Sequence, residues 1–194
     1  MAQPYRVVLL GNSFVGKTAL ITRFIENDKP ANYSETIGAA FHTYTQKIKD
    51  EEINLQIWDT AGHEKYRSLG PVYYRNACAG ILVYDVTNRT SFTDLNLWIR
   101  SFQDTVGFDV PIFIVGNKVD LENEVEVEVD EGQKFAQENN FKFFTTSAQT
   151  GFNVNFLFQN VAEAVLQATK NIKVEEKKTM DLKKTEDRRE SGCC

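Results

Sequence analysis

The sequence predicts a single α/β domain with a six-stranded, mainly parallel sheet and helices on both faces. Short apolar runs at 6–10, 80–86, 111–116 and 141–145 have the composition of buried parallel strands. They alternate with segments of helical periodicity, and strands that alternate with helices form a parallel sheet. The chain has 194 residues, of which 42% are hydrophobic, enough for one such domain and a tail.

The first strand is followed by a phosphate-binding motif. Residues 11–18 read Gly-Asn-Ser-Phe-Val-Gly-Lys-Thr, which fits the pattern Gly-x-x-x-x-Gly-Lys-Ser/Thr of the P-loop. Backbone N–H groups of such a loop, together with the N-terminus of the next helix, point at phosphate oxygens. In this pattern Lys17 reaches the outer phosphates and the Thr18 hydroxyl occupies a Mg²⁺ position. The alternative is a glycine-rich turn that only starts a helix.

The first helix is predicted from Gly16 to about Asn27, and Pro30 ends it because proline does not continue a helix. Two strands follow, at 41–49 and 53–58, and they are expected to form an antiparallel hairpin at one end of the sheet.

Directly after the hairpin comes Asp59-Thr60-Ala61-Gly62. A carboxylate at a strand end is suited to hold Mg²⁺, and a glycine there brings its backbone N–H close to a terminal phosphate. The alternative is an ordinary turn.

The second half of the chain repeats the alternation of strand and helix. Helices are predicted near Thr90, with Asp94 completing a capping box, after Asp130, and along the apolar stripe that begins at Val154. Two more polar segments follow strands, Asn117-Lys118-Val119-Asp120 and Ser147-Ala148. Every chemically suggestive segment therefore follows a strand, which is where ligands bind in open α/β sheets.

Composition excludes several classes of protein. The net charge is −5, and no basic patch with interleaved aromatic residues is present, so nucleic acid is not an expected partner. No apolar run reaches ~18 residues, and two of the three cysteines are adjacent at the end, which excludes a disulfide framework. The helical pattern stops near residue 170. We therefore predict a domain at 1–170 and a disordered tail at 171–194.

These segments together resemble the Ras-like small GTPases, in motif order and spacing. Within that superfamily the chain is similar to the Rab family in Thr36–Phe41, Leu55–Gly62, Tyr73–Ala77 and the terminal Cys193-Cys194. The resemblance implies a P-loop GTPase domain that binds GTP and Mg²⁺, hydrolyses GTP to GDP, and acts as a switch.

The resemblance also implies roles for individual residues. Asp120 would accept hydrogen bonds from guanine N1 and its 2-amino group, and the catalytic residues would be Lys17, Gly62 and His63. The implied Mg²⁺ site consists of Thr18, Thr36 and, through water, Asp59. The full implied nucleotide-binding set is Ser13, Phe14, Val15, Gly16, Lys17, Thr18, Ala19, Thr36, Gly62, Asn117, Lys118, Asp120, Ser147, Ala148 and Gln149.

Two positions depart from the family pattern. His63 stands where the family has a glutamine that orients the attacking water, which predicts slow intrinsic hydrolysis. Lys29 stands where the family usually has an aromatic residue against the base, which predicts faster GDP release.

Partners follow from the same resemblance. Phe41, Trp58 and Tyr73 match the aromatic residues that flank the effector surface of Rab proteins, and Cys193-Cys194 match their geranylgeranylation site. The implied partners are effectors, an exchange factor, a GTPase-activating protein, and the Rab escort protein or GDP-dissociation inhibitor. We expect a monomer at the cytoplasmic face of endomembranes and in the cytosol, and Thr36–Phe41 is similar to endosomal members. Two alternatives stay open: a P-loop nucleotide or small-molecule kinase, and a GTP-binding scaffold with little turnover.

Overall fold

A computed structural model describes residues 4–28, 36–48, 50–63 and 69–170. Six strands run in chain order: β1 (Tyr5–Leu10), β2 (Ala39–Ile48), β3 (Glu51–Thr60), β4 (Ala79–Asp85), β5 (Ile112–Asn117) and β6 (Lys142–Thr146). They form one sheet in the order β2-β3-β1-β4-β5-β6. Among the strands of the described residues, only β2 and β3 pair in an antiparallel arrangement. The predicted fold class and the terminal hairpin are both confirmed.

Helices connect the parallel strands. They are α1 (Lys17–Glu26), α2 (Gly70–Tyr74), α3 (Arg89–Thr93), α4 (Leu95–Val106), α5 (Val129–Glu138) and α6 (154–170), with a short 3₁₀ turn at Glu122–Glu124. Within the described part of the chain, none of them is long and apolar enough to cross a membrane.

The sheet separates two hydrophobic clusters. Because successive residues of a strand point to opposite faces, Val7 and Leu9 of β1 join the cluster under α1 and α6, whereas Val8 and Leu10 join the cluster under α2, α4 and α5. Both faces are therefore buried. This is why the inner strands read as continuous apolar runs in the sequence rather than as alternating patterns.

The helix starts differ from the predicted ones. Asn88, not a box involving Asp94, caps α3: its side-chain oxygen accepts a hydrogen bond from the Ser91 N–H. Asp94 instead separates α3 from α4. Helix α5 begins at Val129, and Asp130 lies in its first turn without capping it. Helix α2 lies between β3 and β4, where the sequence pattern predicts no helix.

Candidate functional site

The carboxyl ends of the parallel strands bring the predicted motifs to one edge of the sheet. Leu9 pairs with Asp59 across β1 and β3, and Asn117 pairs with Asp85 on one side and Thr146 on the other. The loop of residues 11–16 begins at the same edge, directly after β1. The motifs are thus neighbours in space, as their positions after strands predict.

The phosphate loop requires both of its motif glycines. Gly11 and Gly16 have φ angles of +134° and +97°, where side chains are rarely tolerated. A Cβ at Gly11 would be 2.1 Å from the Val83 carbonyl oxygen, and one at Gly16 would be 2.4 Å from Nδ2 of Asn117. The loop therefore packs against β4 and β5 with no space for a side chain at either position.

Lys17 places a buried ammonium group inside this loop. Its Nζ donates to the main-chain carbonyls of Gly11 and Asn12, each at 2.8 Å. Burial lowers the pKa of Lys17 from 10.5 to about 8, although the charge of Asp59 opposes this. A buried cation held by neutral carbonyls is stabilised by an anionic ligand, as the phosphate-binding prediction requires.

Three oxygen-bearing side chains meet beside the loop. The Oγ1 atoms of Thr18 and Thr36 are 2.9 Å apart, and they lie 2.7 Å and 3.2 Å from Oδ2 of Asp59. The other carboxylate oxygen of Asp59 is buried and has no hydrogen-bond partner among the described residues. An octahedral Mg²⁺ with ligands at ~2.1 Å holds neighbouring ligand oxygens about 3.0 Å apart. The spacing and the unpaired oxygen fit the predicted Mg²⁺ site.

The chain after Asp59 packs directly on the phosphate loop. A Cβ at Gly62 would be 2.3 Å from the carbonyl carbon of Asn12 and 2.4 Å from the backbone nitrogen of Ser13. The Ala61 N–H donates to the Gly38 carbonyl at 2.8 Å, which joins this segment to the one that carries Thr36. His63 follows, half-buried. Its catalytic role stays a prediction, and Lys29 lies outside the described residues.

A cavity of about 440 Å³ adjoins the loop, and its lining matches the predicted base site: Gly16, Ala19, Asn117, Lys118, Asp120, Leu121, Ala148 and Gln149. Asn117 holds this site together. Its Nδ2 donates to the Val15 carbonyl at 2.9 Å, and its Oδ1 accepts from Thr146 Oγ1 at 3.1 Å and from the Ala148 N–H at 3.3 Å. The buried amide thus links the phosphate loop, β5 and the segment after β6.

The remaining base-site residues are placed as follows. Asp120 is exposed and lines the cavity. Lys118 lines the cavity and forms an ion pair of 2.5 Å with Asp85. Ser147 is fully buried, and its Oγ accepts the Thr150 N–H at 3.0 Å, so its side chain stabilises the turn rather than lining the cavity.

An aromatic cluster lies on the hairpin and α2. The ring centroids of Phe41 and Trp58 are 5.4 Å apart, and those of Trp58 and Tyr73 are 6.2 Å apart. The Arg6 guanidinium lies 4.6 Å from the Trp58 ring centroid. The three predicted effector residues are therefore one contiguous surface, which we call the aromatic patch.

Three residues of the site were not predicted from the sequence, and the first of them, Leu121, lines the cavity. Asp85 ends β4 and pairs with Lys118, and its position at a strand end is a signal that could have identified it. Asn12 occupies a variable position of the loop motif, and its side chain bonds to Asp94 and Trp98. Both of these partners are more than 80 residues away along the chain, so no local sequence pattern reveals the importance of Asn12.

Comparison with known protein families gives a match over most of the chain. A family model described as "Ras family" matches residues 6–167. The match contains every predicted nucleotide-binding and metal-binding residue and ends before the tail.

Proposed function

We propose, from the premise that this chain belongs to the Ras family of GTP-binding switch GTPases, that it is a Rab-type switch that recruits effectors in membrane trafficking. The observation that carries this proposal is the aromatic patch. Phe41 is 55% exposed, and Ile37 and Val72, which are close in sequence to Phe41 and Tyr73, are 81% and 68% exposed. Exposed apolar surface of this kind marks a protein-binding site.

The patch is joined to the nucleotide site through Thr36. Ile37 and Gly38 follow Thr36 directly, and a Cβ at Gly38 would be 3.6 Å from the Tyr73 hydroxyl. A change in the contacts of Thr36 would therefore move residues at the border of the patch. In GTPases the γ-phosphate and Mg²⁺ order these segments, and hydrolysis releases them. The patch is thus suited to report which nucleotide is bound.

The test compares two exposed phenylalanines. Protein loaded with GDP or with a non-hydrolysable GTP analogue is used to capture binding proteins, and Phe41→Ala is compared with Phe152→Ala. Phe152 is 52% exposed and lies beyond β6, at the edge of the sheet opposite the hairpin. We expect Phe41→Ala alone to lose the proteins retained only by the GTP form. Equal retention by both variants would refute the role of the patch.

We infer the roles of the site residues in hydrolysis from the mechanism of the family, and their positions support the assignment. Lys17 and the loop N–H groups hold the phosphates, and Asp120 selects the base through two hydrogen-bond acceptors. Mg²⁺, when bound, neutralises charge on the phosphate oxygens; Thr18, Thr36 and Asp59 would hold it. Gly62 brings its N–H to the terminal phosphate, and its packing against the loop allows no side chain at that position.

We propose that intrinsic hydrolysis is slow because of His63. A glutamine offers an acceptor and a donor on one flexible stem, whereas the two nitrogens of neutral imidazole point in divergent directions. Protonated imidazole only donates and cannot accept a hydrogen bond from the attacking water. The second candidate, a GTP-binding scaffold with little turnover, is favoured by the same residue. Single-turnover hydrolysis with and without a GTPase-activating protein separates the two, since a scaffold stays inactive in both.

Membrane attachment is proposed through Cys193 and Cys194. The tail 171–194 lies outside the described residues, and its seven Lys/Arg and six Asp/Glu give a net charge of +1. So small a charge attracts anionic lipid weakly. Two geranylgeranyl chains supply what stable anchoring needs, and an escort protein or GDP-dissociation inhibitor would shield them in the cytosol. We place the protein at the cytoplasmic face of endomembranes.

A further inference from the structure

The side chain of Asn12 is fixed at both of its polar atoms. Its Nδ2 donates to Oδ2 of Asp94 at 2.7 Å, and its Oδ1 accepts from Nε1 of Trp98 at 2.8 Å. The indole N–H only donates and the carboxylate only accepts, so the orientation of the amide between them is determined. Trp98 is a buried core residue of α4. The side chain of Asn12 therefore attaches the phosphate loop to this region in one defined orientation.

Asp94 contributes its carboxylate to this attachment instead of capping α4 with it. It is the residue that precedes α4, a position where a carboxylate ordinarily accepts a hydrogen bond from the first turn. Its side chain makes no such bond. The carboxylate is directed to the phosphate loop instead, where it accepts a charge-assisted hydrogen bond.

The main-chain carbonyl of Asn12 contacts both Lys17 and Gly62. Its carbonyl oxygen accepts one of the two hydrogen bonds that hold Nζ of Lys17, and the backbone of Gly62 packs against the same carbonyl. The position of this carbonyl therefore sets where the ammonium group lies. It also sets how closely the segment of Gly62 approaches the phosphates.

We propose that Asn12 is a positioning residue for nucleotide retention and hydrolysis, which acts by fixing the phosphate loop to Asp94 and Trp98 of the helix behind it. The inference rests on GTP binding at this site and is independent of the Rab-type role. It predicts that the polarity of the Asn12–Asp94 pair matters, and not only the volume of the side chain.

The test exchanges the two groups of the pair. Asn12→Asp keeps the shape but sets two carboxylates against each other, and like charges at this distance repel. The double variant Asn12→Asp/Asp94→Asn has the carboxylate at position 12 and the amide at position 94. The carboxylate then accepts hydrogen bonds from the amide and from Trp98, so the attachment is restored with the same net charge as in the wild type. Asn88→Asp is the matched control, because Asp caps α3 as well as Asn does and the hydrogen bonds of Asn88 join it to Asp85 and Ser91.

GDP release at fixed Mg²⁺, single-turnover GTP hydrolysis and the thermal midpoint are measured for each variant. We expect Asn12→Asp to release GDP about tenfold faster, the factor that loss of one hydrogen bond gives, and to hydrolyse GTP more slowly. The double variant should return towards the wild-type rates, and Asn88→Asp should not differ from wild type.

Three results would overturn the proposal. They are GDP release by Asn12→Asp at the rate of Asn88→Asp, a lowered thermal midpoint with unchanged rates, and a double variant as impaired as Asn12→Asp. If Asn12→Asp does not fold, Asp94→Ala makes the same test by removing the carboxylate that accepts from the Asn12 amide, and unchanged rates there would also refute the proposal. Failure of the wild-type protein to bind GDP would refute the proposed function instead.

Discussion

The buried ammonium group of Lys17 makes nucleotide binding depend on pH. In the nucleotide-free protein its pKa is lowered from 10.5 to about 8 by burial, whereas bound phosphates favour the charged form and raise it again. Binding above pH 8 therefore takes up a proton. Affinity should be flat below pH 8 and fall as the pH rises beyond it.

The magnitude follows from the fraction of Lys17 that is protonated before binding. With a pKa of about 8, this fraction falls from roughly nine-tenths at pH 7 to roughly one-tenth at pH 9, so GDP affinity should fall about tenfold. About half a proton should be taken up per nucleotide at pH 8. The assay is titration calorimetry of nucleotide-free protein in buffers with different ionisation enthalpies, since proton uptake appears as a buffer-dependent heat.

The stability of the nucleotide-free protein should rise over the pH range in which its affinity for nucleotide falls. Between pH 8 and 10.5 the unfolded chain binds more protons at Lys17 than the folded chain, so stability rises with pH in this window. The difference between the folded and unfolded pKa values of Lys17 corresponds to a rise of about 3 kcal/mol in the free energy of unfolding over the whole window. Lys17→Met is the control, because it binds weakly without this pH dependence. Constant wild-type affinity and no proton uptake from pH 7 to 9 would refute the reasoning.

Four further predictions concern single positions. His63→Gln should raise the intrinsic single-turnover rate, and an unchanged or lower rate would mean that His63 is an adequate catalyst. Gly16→Ala should weaken GDP binding, measured by calorimetry, because the new Cβ would be 2.4 Å from the side-chain nitrogen Nδ2 of Asn117. Unchanged affinity would show that the loop adapts. Replacing Cys193 and Cys194 with Ser should leave the protein out of the membrane pellet of its own cells, so retained pelleting would point to another anchor. Lys29→Phe should slow GDP release, and equal off-rates would remove the argument for a missing base contact.

Much of the fold was predictable because its signals are local. The buried strands are continuous apolar runs, and the loop after β1 is a motif whose glycines are required by close backbone contacts at Gly11 and Gly16. Placing the functional segments after strands was enough to predict that they lie close together, and the segments after β1, β5 and β6 line one cavity.

The errors have physical reasons of their own. Helix α2 was missed because a five-residue helix that contains Gly70 and Pro71 has no amphipathic period. Asp94 was assigned to a capping box because its spacing from Ser91 is right, but its carboxylate is used by the phosphate loop. Asn12 was not identified because its partners are far away in sequence. Sequence patterns report local geometry, and these residues act through tertiary contacts.

Competition for bound, labelled GDP tests the central claim most directly, namely that the strand-end site selects guanine through Asp120. Unlabelled GTP, ITP and ATP are compared as competitors on the wild-type chain with Mg²⁺. ITP lacks the 2-amino group and so loses one of the two hydrogen bonds to the carboxylate, whereas ATP offers neither donor. We predict displacement by GTP, weaker displacement by ITP and none by ATP at equal concentration. Displacement by ATP as effective as that by GTP would contradict the account and favour a P-loop kinase.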